Sequence, residues 1–236
     1  MRIAAVGDLH VGPDSHDLVR DRLRHVHEEA DILVLAGDLT QLGAPDEAKL
    51  LADELADVAV PVVAVLGNHD FQSDADDELR DVVEDAGVTV LDGEAAQVAI
   101  GGRTLGIVGD IGFGGGFAGA SGSAFGEREM KAFMQRTERS AARIQDGLET
   151  LATDVTLVLL HYSPVKDTVV GERPEIYPFL GSFLLARAID AVGADLVVHG
   201  HAHAGSEQGI TPGGVRVRNV AQPLIRRSYR VFCLED

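Results

Sequence analysis

The feature that most restricts the fold is a regular alternation of short apolar runs with helical segments near the start of the chain. Apolar runs at Arg2–Val6, 31–36 and 60–66 have the length of buried strands. Residues 14–30, and the segment that begins near Pro45, repeat apolar side chains at helical spacing. This β-α-β-α-β order predicts parallel strands joined by helices, and hence an α/β fold.

The remainder of the chain continues the α/β pattern and becomes richer in short strands. Helices are predicted over 74–86, 127–151 and Phe183–Val192, and strands over 88–91, 96–100, 104–108, 156–160, Leu196–His199, 215–220 and 228–234. Loops are predicted over 109–126 and 163–178. The first loop is rich in glycine but lacks the Gly-Lys-Ser/Thr ending of a phosphate-binding loop, so we interpret it as a connector or as a wall beside a site. No linker or repeat interrupts the sequence, and we expect one domain over residues 1–236.

Five predicted strands end in residues of the kinds that bind divalent metals. The motifs are GDLH (7–10), GDLTQLG (37–43), GNHD (67–70), the single residue His161, and GHAH (200–203). Ligand sites in α/β proteins commonly lie at the ends of strands. One Asp after a strand is as readily a helix cap or a turn residue. That explanation does not extend to all five motifs, so we interpret them as parts of one metal site.

The number of donors favours two metal ions. The motifs offer about eight candidate ligands, whereas a single zinc ion needs three or four. A carboxylate can bridge two cations that lie about 3.5–4 Å apart, as in two-metal hydrolases. Imidazole, carboxylate and amide ligands suit manganese, iron or zinc, and we favour manganese.

In order, spacing and residue type, these motifs resemble those of the calcineurin-like metallophosphoesterase superfamily over residues 8–203. The resemblance implies a four-layer αββα sandwich, in which helices flank two mixed β-sheets and a dinuclear metal site lies at the strand ends. It implies that one metal is bound by Asp8, His10, Asp38 and His203. The other metal is bound by Asp38, Asn68, His161 and His201, so that Asp38 bridges the two.

The resemblance also implies roles for residues that do not bind metal. His69 contacts the phosphate and assists the leaving group, and Asp70 orients the ring of His69. A hydroxide that bridges the metals attacks phosphorus in line, without a covalent enzyme intermediate. His199 lies one position before the GHAH motif and is expected to be structural.

The predicted activity is hydrolysis of a small phosphodiester, nucleotide or phosphomonoester. A protein phosphatase of the same superfamily is the nearest alternative. A non-catalytic scaffold with the same fold is an alternative from a different class of protein. We would expect such a scaffold to have lost metal ligands or His69, and this chain has kept them.

Charge and cysteine content restrict the partners and the location. The formal net charge of −18 opposes binding to nucleic acid or to an anionic membrane, so a DNA nuclease is disfavoured. No apolar run approaches the roughly 20 residues of a membrane span, and the first residues do not resemble a signal peptide. The single cysteine, Cys233, excludes an internal disulfide and is expected to be buried. We therefore expect a cytoplasmic protein, whose oligomeric state the sequence does not indicate.

Substrate contacts outside the motifs are less well defined by the sequence. Candidates in loops are Phe113, Phe117, Arg173, Tyr177 and residues 219–223. A C-terminal arginine cluster, which could bind a phosphate group, consists of Arg216, Arg218, Arg226, Arg227 and Arg230. Alternation along a strand and pairing with the many carboxylates is the simpler explanation of this cluster.

Overall fold

The computed structural model of the chain describes residues 1–234, which form two large β-sheets and one small hairpin. The strands are β1 (Arg2–Val6), β2 (Ile32–Ala36), β3 (Val62–Val65), β4 (Val88–Val90), β5 (Ala95–Ile100), β6 (Arg103–Asp110), β7 (Gly116–Phe117), β8 (Ala120–Ser121), β9 (Val155–Leu160), β10 (Leu196–His199), β11 (Gln208–Ile210), β12 (Arg216–Asn219) and β13 (Arg230–Cys233). The helices are α1 (Leu18–Leu23), α2 (Val26–Glu29), α3 (Pro45–Leu55), α4 (Asp76–Asp85), α5 (Arg128–Thr150), α6 (Tyr177–Leu180), α7 (Phe183–Val192) and α8 (Gln222–Ile225).

Both large sheets are mixed, as the sequence predicts. The first sheet has the strand order β13-β1-β2-β3-β4, and the second has the order β11-β12-β10-β9-β6-β5. Strands β1 to β4 are parallel, and so are β6, β9, β10 and β12. The antiparallel strands β13, β5 and β11 lie at sheet edges.

The side chains of the central strands alternate between two cores. In β1, Ile3 and Ala5 pack between the two sheets, whereas Ala4 and Val6 pack against the helices of the first sheet. Strand β9 alternates in the same way between the inter-sheet core and a third core that contains α5 and α7. Because both faces of these strands are covered, they read in the sequence as continuous apolar runs. The layers are helix, sheet, sheet and helix, which confirms the predicted αββα sandwich.

This topology brings the carboxyl ends of the central strands to one edge of the sandwich. In the first sheet the parallel strands β1, β2 and β3 are neighbours, and in the second β9 and β10 are neighbours. Strands β2 and β3 also pack against β9 across the inter-sheet core. The segments that follow these five strands therefore meet, and they are the segments that contain the five predicted motifs.

Helix α5 covers the second sheet with one apolar face. Its buried residues follow helical spacing and are Met134, Thr137, Ser140, Ile144 and Leu148. Most of the other residues of the helix are charged or polar and exposed. Within residues 1–234, no helix combines the length and the apolar character that a membrane span requires.

Several predicted elements need correction. The helix predicted over 14–30 is two short helices, α1 and α2, because His25 leaves the helical region with φ −103° and ψ 8°. The glycine-rich loop 109–126 contains the hairpin β7-β8, and the loop 163–178 contains two 3₁₀ turns and the start of α6. The edge strand β11 and the short helix α8 were not predicted, since neither has enough residues for a periodic pattern.

Cys233 is exposed, so the prediction that it is buried is wrong. It lies in β13, where alternation directs Phe232 and Leu234 into the inter-sheet core. Cys233 therefore points to the opposite face of an edge strand. An apolar run at a sheet edge is covered on one face only, in contrast to the runs at the sheet centre.

The side chain of Glu54, in α3, binds the start of α1. Its buried carboxylate accepts hydrogen bonds from the main-chain N–H groups of Asp17 (2.6 Å), Val19 (3.0 Å) and Arg20 (2.8 Å). These donors lie at the start of α1, where N–H groups have no partner within the helix. A side chain 34 or more residues away thus completes the first turn of α1.

We predict that Glu54→Ala lowers the free energy of unfolding by about 2–3 kcal/mol, because it leaves buried N–H donors without an acceptor. Urea denaturation of the purified protein measures this change. The matched control is Asp53→Ala, since Asp53 is adjacent and exposed; it should change stability by less than about 0.5 kcal/mol. Equal effects of the two substitutions would contradict the assigned role of Glu54.

Candidate metal centre

The predicted ligands that carry a carboxylate or an imidazole converge in two groups. One nitrogen or oxygen atom from each of Asp8, His10, Asp38 and His203 lies within 4.8 Å of the others. The same limit holds for a second group of Asp38, His161 and His201. Asp38 is common to both groups, and its side chain is only 2% exposed.

Asn68 adjoins the second group. Its Oδ1 lies 3.0 Å from Nε2 of His161, which in turn lies 3.3 Å from Oδ1 of Asp38. The next residue, His69, donates its main-chain N–H to the same Asp38 oxygen at 2.8 Å. The structure therefore brings all seven predicted ligands into one cluster, to which both sheets contribute.

The backbone at this cluster adopts conformations that most residues avoid. Seven non-glycine residues among those described have a positive φ, and four of them are predicted ligands: Asp8 (60°), His10 (48°), Asp38 (49°) and His201 (69°). Such conformations are concentrated at functional sites, where the surrounding contacts hold them. The main chain supplies such contacts here. The N–H of Asp8 donates to the carbonyl oxygen of Gly37 at 2.9 Å, and the N–H of His10 donates to the main-chain carbonyl oxygen of Asp38 at 3.0 Å.

Two motif glycines permit a close approach to the carboxylates. A Cβ atom on Gly67 would overlap the main-chain nitrogen and the carboxylate of Asp38. A Cβ atom on Gly200 would overlap the carboxylate of Asp8 and crowd the carbonyl oxygen of Ala36. The glycines of GNHD and GHAH are thus required by packing against the acidic residues.

Protein carbonyl groups determine which ring nitrogen each buried histidine offers. Nδ1 of His161 lies 2.9 Å from the carbonyl oxygen of Ala36, so it carries the proton and Nε2 is the available donor atom. The opposite holds for His201, whose Nε2 lies 3.1 Å from the carbonyl oxygen of Phe179. The atom of His201 that remains available is Nδ1. Second partners of this kind are typical of histidines that bind metals.

The charge state of the cluster fits a divalent cation. Burial lowers the pKa of both His161 and His201 to about 3, so both imidazoles are neutral at pH 7, as ligands must be. Burial raises the pKa of Asp8 to about 6, and a nearby cation would favour its ionised form. In the ion pairs of residues 1–234, neither Asp8 nor Asp38 is paired with a lysine or an arginine. Two buried carboxylates and neutral imidazoles are a donor set for metal ions.

His199 is outside the cluster, which confirms its predicted structural role. Its ring is fully buried, with Nδ1 2.7 Å from the carbonyl oxygen of Gly200 and Nε2 2.8 Å from Oγ1 of Thr168. Both ring nitrogens therefore have protein partners. Burial lowers the pKa of His199 to about 4, so the ring is neutral at pH 7.

The predicted contact between His69 and Asp70 is absent from the described structure, and that prediction is corrected. Nδ1 of His69 lies 2.7 Å from the carbonyl oxygen of Gln41, which fixes the ring in place of Asp70. The ring packs edge-on against His10 with centroids 4.5 Å apart, and 42% of its side chain is exposed. Its Nε2 faces the cluster, 4.0 Å from Oδ2 of Asp38.

Asp70 instead holds two motifs together. Its fully buried carboxylate accepts four hydrogen bonds, from the main-chain N–H groups of Leu39 (3.1 Å), Thr40 (2.8 Å) and Gly67 (2.8 Å) and from the Thr40 hydroxyl (2.6 Å). Burial raises the pKa of Asp70 to about 6, and these hydrogen bonds oppose that effect. Asp70 therefore joins the turn after β2 to the turn after β3.

The sequence indicated residues 219–223 as candidate substrate contacts, but Asn219 instead supports the GHAH loop. The amide of Asn219, at the end of β12, donates to the carbonyl oxygen of Ala202 at 2.8 Å, and its Oδ1 accepts from the N–H of Ala221 at 3.1 Å. Thr168 holds the ring of His199 from a 3₁₀ turn. No motif spacing links these residues to the histidines, because the contacts exist only in the folded loops.

The other predicted contact residues are mostly packing or surface residues. Phe117 and Tyr177 pack with Ala202 in a small apolar cluster below the GHAH loop, and Arg173 is exposed. Within the C-terminal arginine cluster, Arg230 forms an ion pair with Glu207 at 2.5 Å. Arg216 and Arg218 alternate along β12 and donate to the main-chain carbonyl groups of Asp195 and Val217. These contacts favour the simpler explanation of that cluster.

An Asp- and His-lined cluster at the shared strand edge of an αββα sandwich is the donor set of a metal-dependent enzyme. The sequence model of the family "Calcineurin-like phosphoesterase" matches residues 1–205, and the chain belongs to that family. Membership implies divalent metal ions. No curated protein matched the sequence.

Three solved structures illustrate the fold of this family. The phosphopantetheinyl hydrolase of Mycobacterium tuberculosis is 18% identical, with 99% of this chain and 96% of that chain covered and a TM-score of 0.72. The protein TT1561 of Thermus thermophilus is 17% identical over 98% and 97% of the two chains, with a TM-score of 0.58. The purple acid phosphatase PPD1 of yellow lupin is 14% identical over 93% of this chain and 43% of that chain, with a TM-score of 0.55. Identities this low show a common fold and nothing further.

We predict that Asp70→Asn lowers the free energy of unfolding by about 2–4 kcal/mol, because the new amide NH₂ faces N–H donors that need an acceptor. Metal affinity should fall with it, since the turn that holds Asp38 is no longer fixed. Chemical denaturation and metal titration measure the two effects. The control Asp77→Asn changes an exposed residue of α4 and should alter neither quantity. A stable Asp70→Asn variant with normal metal affinity would contradict this role.

Proposed function

We propose that the protein hydrolyses a small phosphoester with two bound divalent metal ions. One ion would be held by Asp8, His10, Asp38 and His203. The other would be held by Asp38, Asn68, His161 and His201. The observation that carries this proposal is the presence of two donor groups that share the buried carboxylate of Asp38.

We propose manganese as the metal, with iron and zinc as alternatives. All predicted donors are imidazole nitrogens or carboxylate and amide oxygens, and the only cysteine lies outside the cluster on β13. Thiolates are soft ligands that favour zinc, and this site has none. Its carboxylate oxygens suit manganese. Metal analysis of protein purified from cells grown with each metal would decide among them.

The metals would supply an activated water and positive charge against the phosphoryl oxygens. The chain itself contributes fixed donor atoms, because the carbonyl groups behind His161 and His201 prevent their rings from turning. The burial of Asp8 and Asp38 strengthens their interaction with a cation. His69 is the one predicted catalytic side chain that is both fixed on one nitrogen and open to solvent.

We propose that His69 acts as the general acid of the reaction. Its Nδ1 carries a proton that points to the carbonyl oxygen of Gln41, so Nε2 is free to hold a second proton and to donate it. A protonated Nε2 near the cluster would bind a phosphoryl oxygen and then protonate the leaving group. Asp70 supports this arrangement indirectly, through the turns that it joins.

We propose a low-molecular-weight substrate, either a phosphodiester, a nucleotide or a phosphomonoester. The formal charge of −18 supports a small ligand over a polyanion, because long nucleic acids would be repelled. A phosphopantetheinyl hydrolase shares the fold, which is consistent with this substrate class. A scaffold function would not require a complete set of seven donors.

We also propose that residues 1–236 act as one catalytic domain in the cytoplasm. Ligands from both sheets in one cluster support the single domain. The presence of only one cysteine supports a reducing compartment. Fractionation of cells that express the tagged protein tests the location.

We predict that the protein loaded with Mn²⁺ hydrolyses at least one member of a panel of p-nitrophenyl mono- and diesters, nucleotides and cyclic nucleotides. Chelation should abolish the activity, and added Mn²⁺ should restore it. Inactivity toward the whole panel with a full metal content would contradict the proposed function. Activity that survives complete removal of metal would contradict the metal-dependent mechanism.

We predict that His69→Ala slows turnover by about two to four orders of magnitude and leaves the metal content unchanged, because His69 assists the leaving group without binding metal. Steady-state kinetics and metal analysis of the same preparation measure both quantities. His27→Ala is a matched control, since its side chain is 47% exposed, compared with 42% for His69. Loss of metal from His69→Ala would show that His69 is a ligand.

A further inference from the structure

A cavity of about 580 Å³ lies between α5 and the turns that follow β3 and β6. Its lining includes Phe71, Ile111, Gly112, Arg136, Arg139 and Arg143. Phe71 directly follows the GNHD motif, so the cavity wall continues along the chain from one of the predicted metal-binding turns. None of these residues has a part in the proposed chemistry.

Ring contacts connect Arg136 to the metal centre. Its guanidinium lies 4.3 Å from the ring centroid of Phe113, which lies 5.5 Å from that of Tyr162. The ring of Tyr162 lies 4.4 Å from that of His201, a predicted ligand. The rings of Phe113 and Tyr162 thus separate Arg136 from His201, so a ligand at the metals would meet Arg136 only through a group that extends past these two rings.

Arg136 and Arg139 have no carboxylate partner in the described part of the chain. Arg143 differs, because it forms ion pairs with Asp92 (3.0 Å) and Asp110 (2.7 Å). The other carboxylate in the cavity wall, Asp146, lies seven residues from Arg139 and ten from Arg136 along α5, which corresponds to about 10 and 15 Å. The chain as a whole has 38 acidic and 20 basic residues, so two guanidinium groups without a carboxylate partner in one cavity form a local excess of positive charge.

A buried contact fixes the position of α5 and hence of its arginines. Asp110, at the end of β6, is fully buried and accepts hydrogen bonds from the Ser140 hydroxyl and from the N–H of Gly112 (2.7 Å). Its second oxygen meets the guanidinium of Arg143. Arg136 lies one turn before Ser140 on the same helix, and stacks on Phe113. The helix is thus held in place, and the ring of Phe113 restricts the exposed guanidinium of Arg136, which lowers the entropy that is lost on binding an anion.

We propose that this cavity binds a second anionic group of the substrate, a phosphate or a carboxylate, through Arg136 and Arg139. The proposal rests on the proposed function, and it narrows the substrate class to phosphoesters that carry a further anionic group away from the scissile phosphorus. Guanidinium groups bind phosphate and carboxylate through paired hydrogen bonds, which lysine cannot reproduce. The cavity, whose wall includes the ring of Phe71, provides the space for the atoms that connect the two anionic groups.

Binding of α,ω-alkane bisphosphonates tests this proposal without turnover. Isothermal titration of the Mn²⁺-loaded protein is compared for a series of spacer lengths with alkyl monophosphonates of equal length. At the best spacer, the bisphosphonate should bind at least about tenfold more tightly, which is typical of a hydrogen bond between charged groups. ω-Carboxyalkyl phosphonates form the second arm and distinguish a phosphate from a carboxylate preference.

Substitution of Arg136 locates the effect. Arg136→Gln should lose about tenfold in bisphosphonate affinity and retain monophosphonate affinity, and Arg136→Lys should recover only part of the loss. The matched control is Arg187→Gln on α7, because Arg187 also lies over a phenylalanine ring, at 6.0 Å from Phe183, but outside this cavity. It should bind both ligands as the unsubstituted protein does. Thermal unfolding checks that the variants remain folded.

The proposal is wrong if bisphosphonates bind no better than monophosphonates at every spacer length, or if neither binds. It is also wrong if Arg136→Gln weakens both ligands equally, since Arg136 would then serve the scissile phosphate. Hydrolysis of the corresponding mono- and bisanionic esters separates this result from the proposed function. If both kinds of ester are cleaved equally well, the cavity proposal alone is rejected. If the bisphosphonates bind more tightly through Arg136 but no ester is cleaved, the phosphoesterase function alone is rejected.

Discussion

The structure depends on the burial of two carboxylates, Asp8 and Asp38, where the parallel strands of the first sheet end against the second sheet. Buried acids of this kind are costly unless positive charge compensates them. Their neighbours within the chain are histidines, two of which burial keeps neutral. The exception is His203, whose Nε2 lies 2.8 Å from Oδ1 of Asp8 and whose pKa is raised by that contact. Among residues 1–234 neither acid pairs with a lysine or an arginine, so the fold supplies only histidines to offset this negative charge. Divalent metal ions would supply further positive charge. The positive φ angles at Asp8 and Asp38 show that directing both carboxylates to this point requires a strained backbone.

The rest of the centre keeps these groups from moving. Carbonyl oxygens set the tautomers of the buried histidines, Asp70 joins the turns after β2 and β3, and Asn219 holds the GHAH loop. Helix α5 is fixed in turn through Asp110, and it carries Arg136 to the side of the centre. Under the two proposals, reactivity and selectivity come from different parts of the fold. The strand ends would provide the metal-binding groups, whereas α5 would provide the arginines that bind a second anionic group.

The layered fold was expected from the resemblance to the family. The sequence itself was sufficient for the alternation of strands and helices in the first half and for the residues of the cluster. These features depend on local patterns, because a run of apolar residues followed by a turn and a donor is visible without any long-range contact. The partner of the His69 ring was predicted incorrectly as Asp70, since it is the main-chain carbonyl of Gln41. Every residue has a main-chain carbonyl group, so residue type does not show which one a side chain contacts. The position of Arg136 was equally invisible, because it depends on how α5 packs across β6. Cys233 shows the remaining limit, since an apolar run does not reveal whether its strand is central or at an edge.

The central claim is that one buried carboxylate serves two metal ions. Crystals of the Mn²⁺-loaded protein, measured at the manganese absorption edge, test it most directly. The account predicts two anomalous peaks about 3.5–4 Å apart, each within bonding distance of an Asp38 oxygen. A single peak, or two peaks of which only one contacts Asp38, would contradict it.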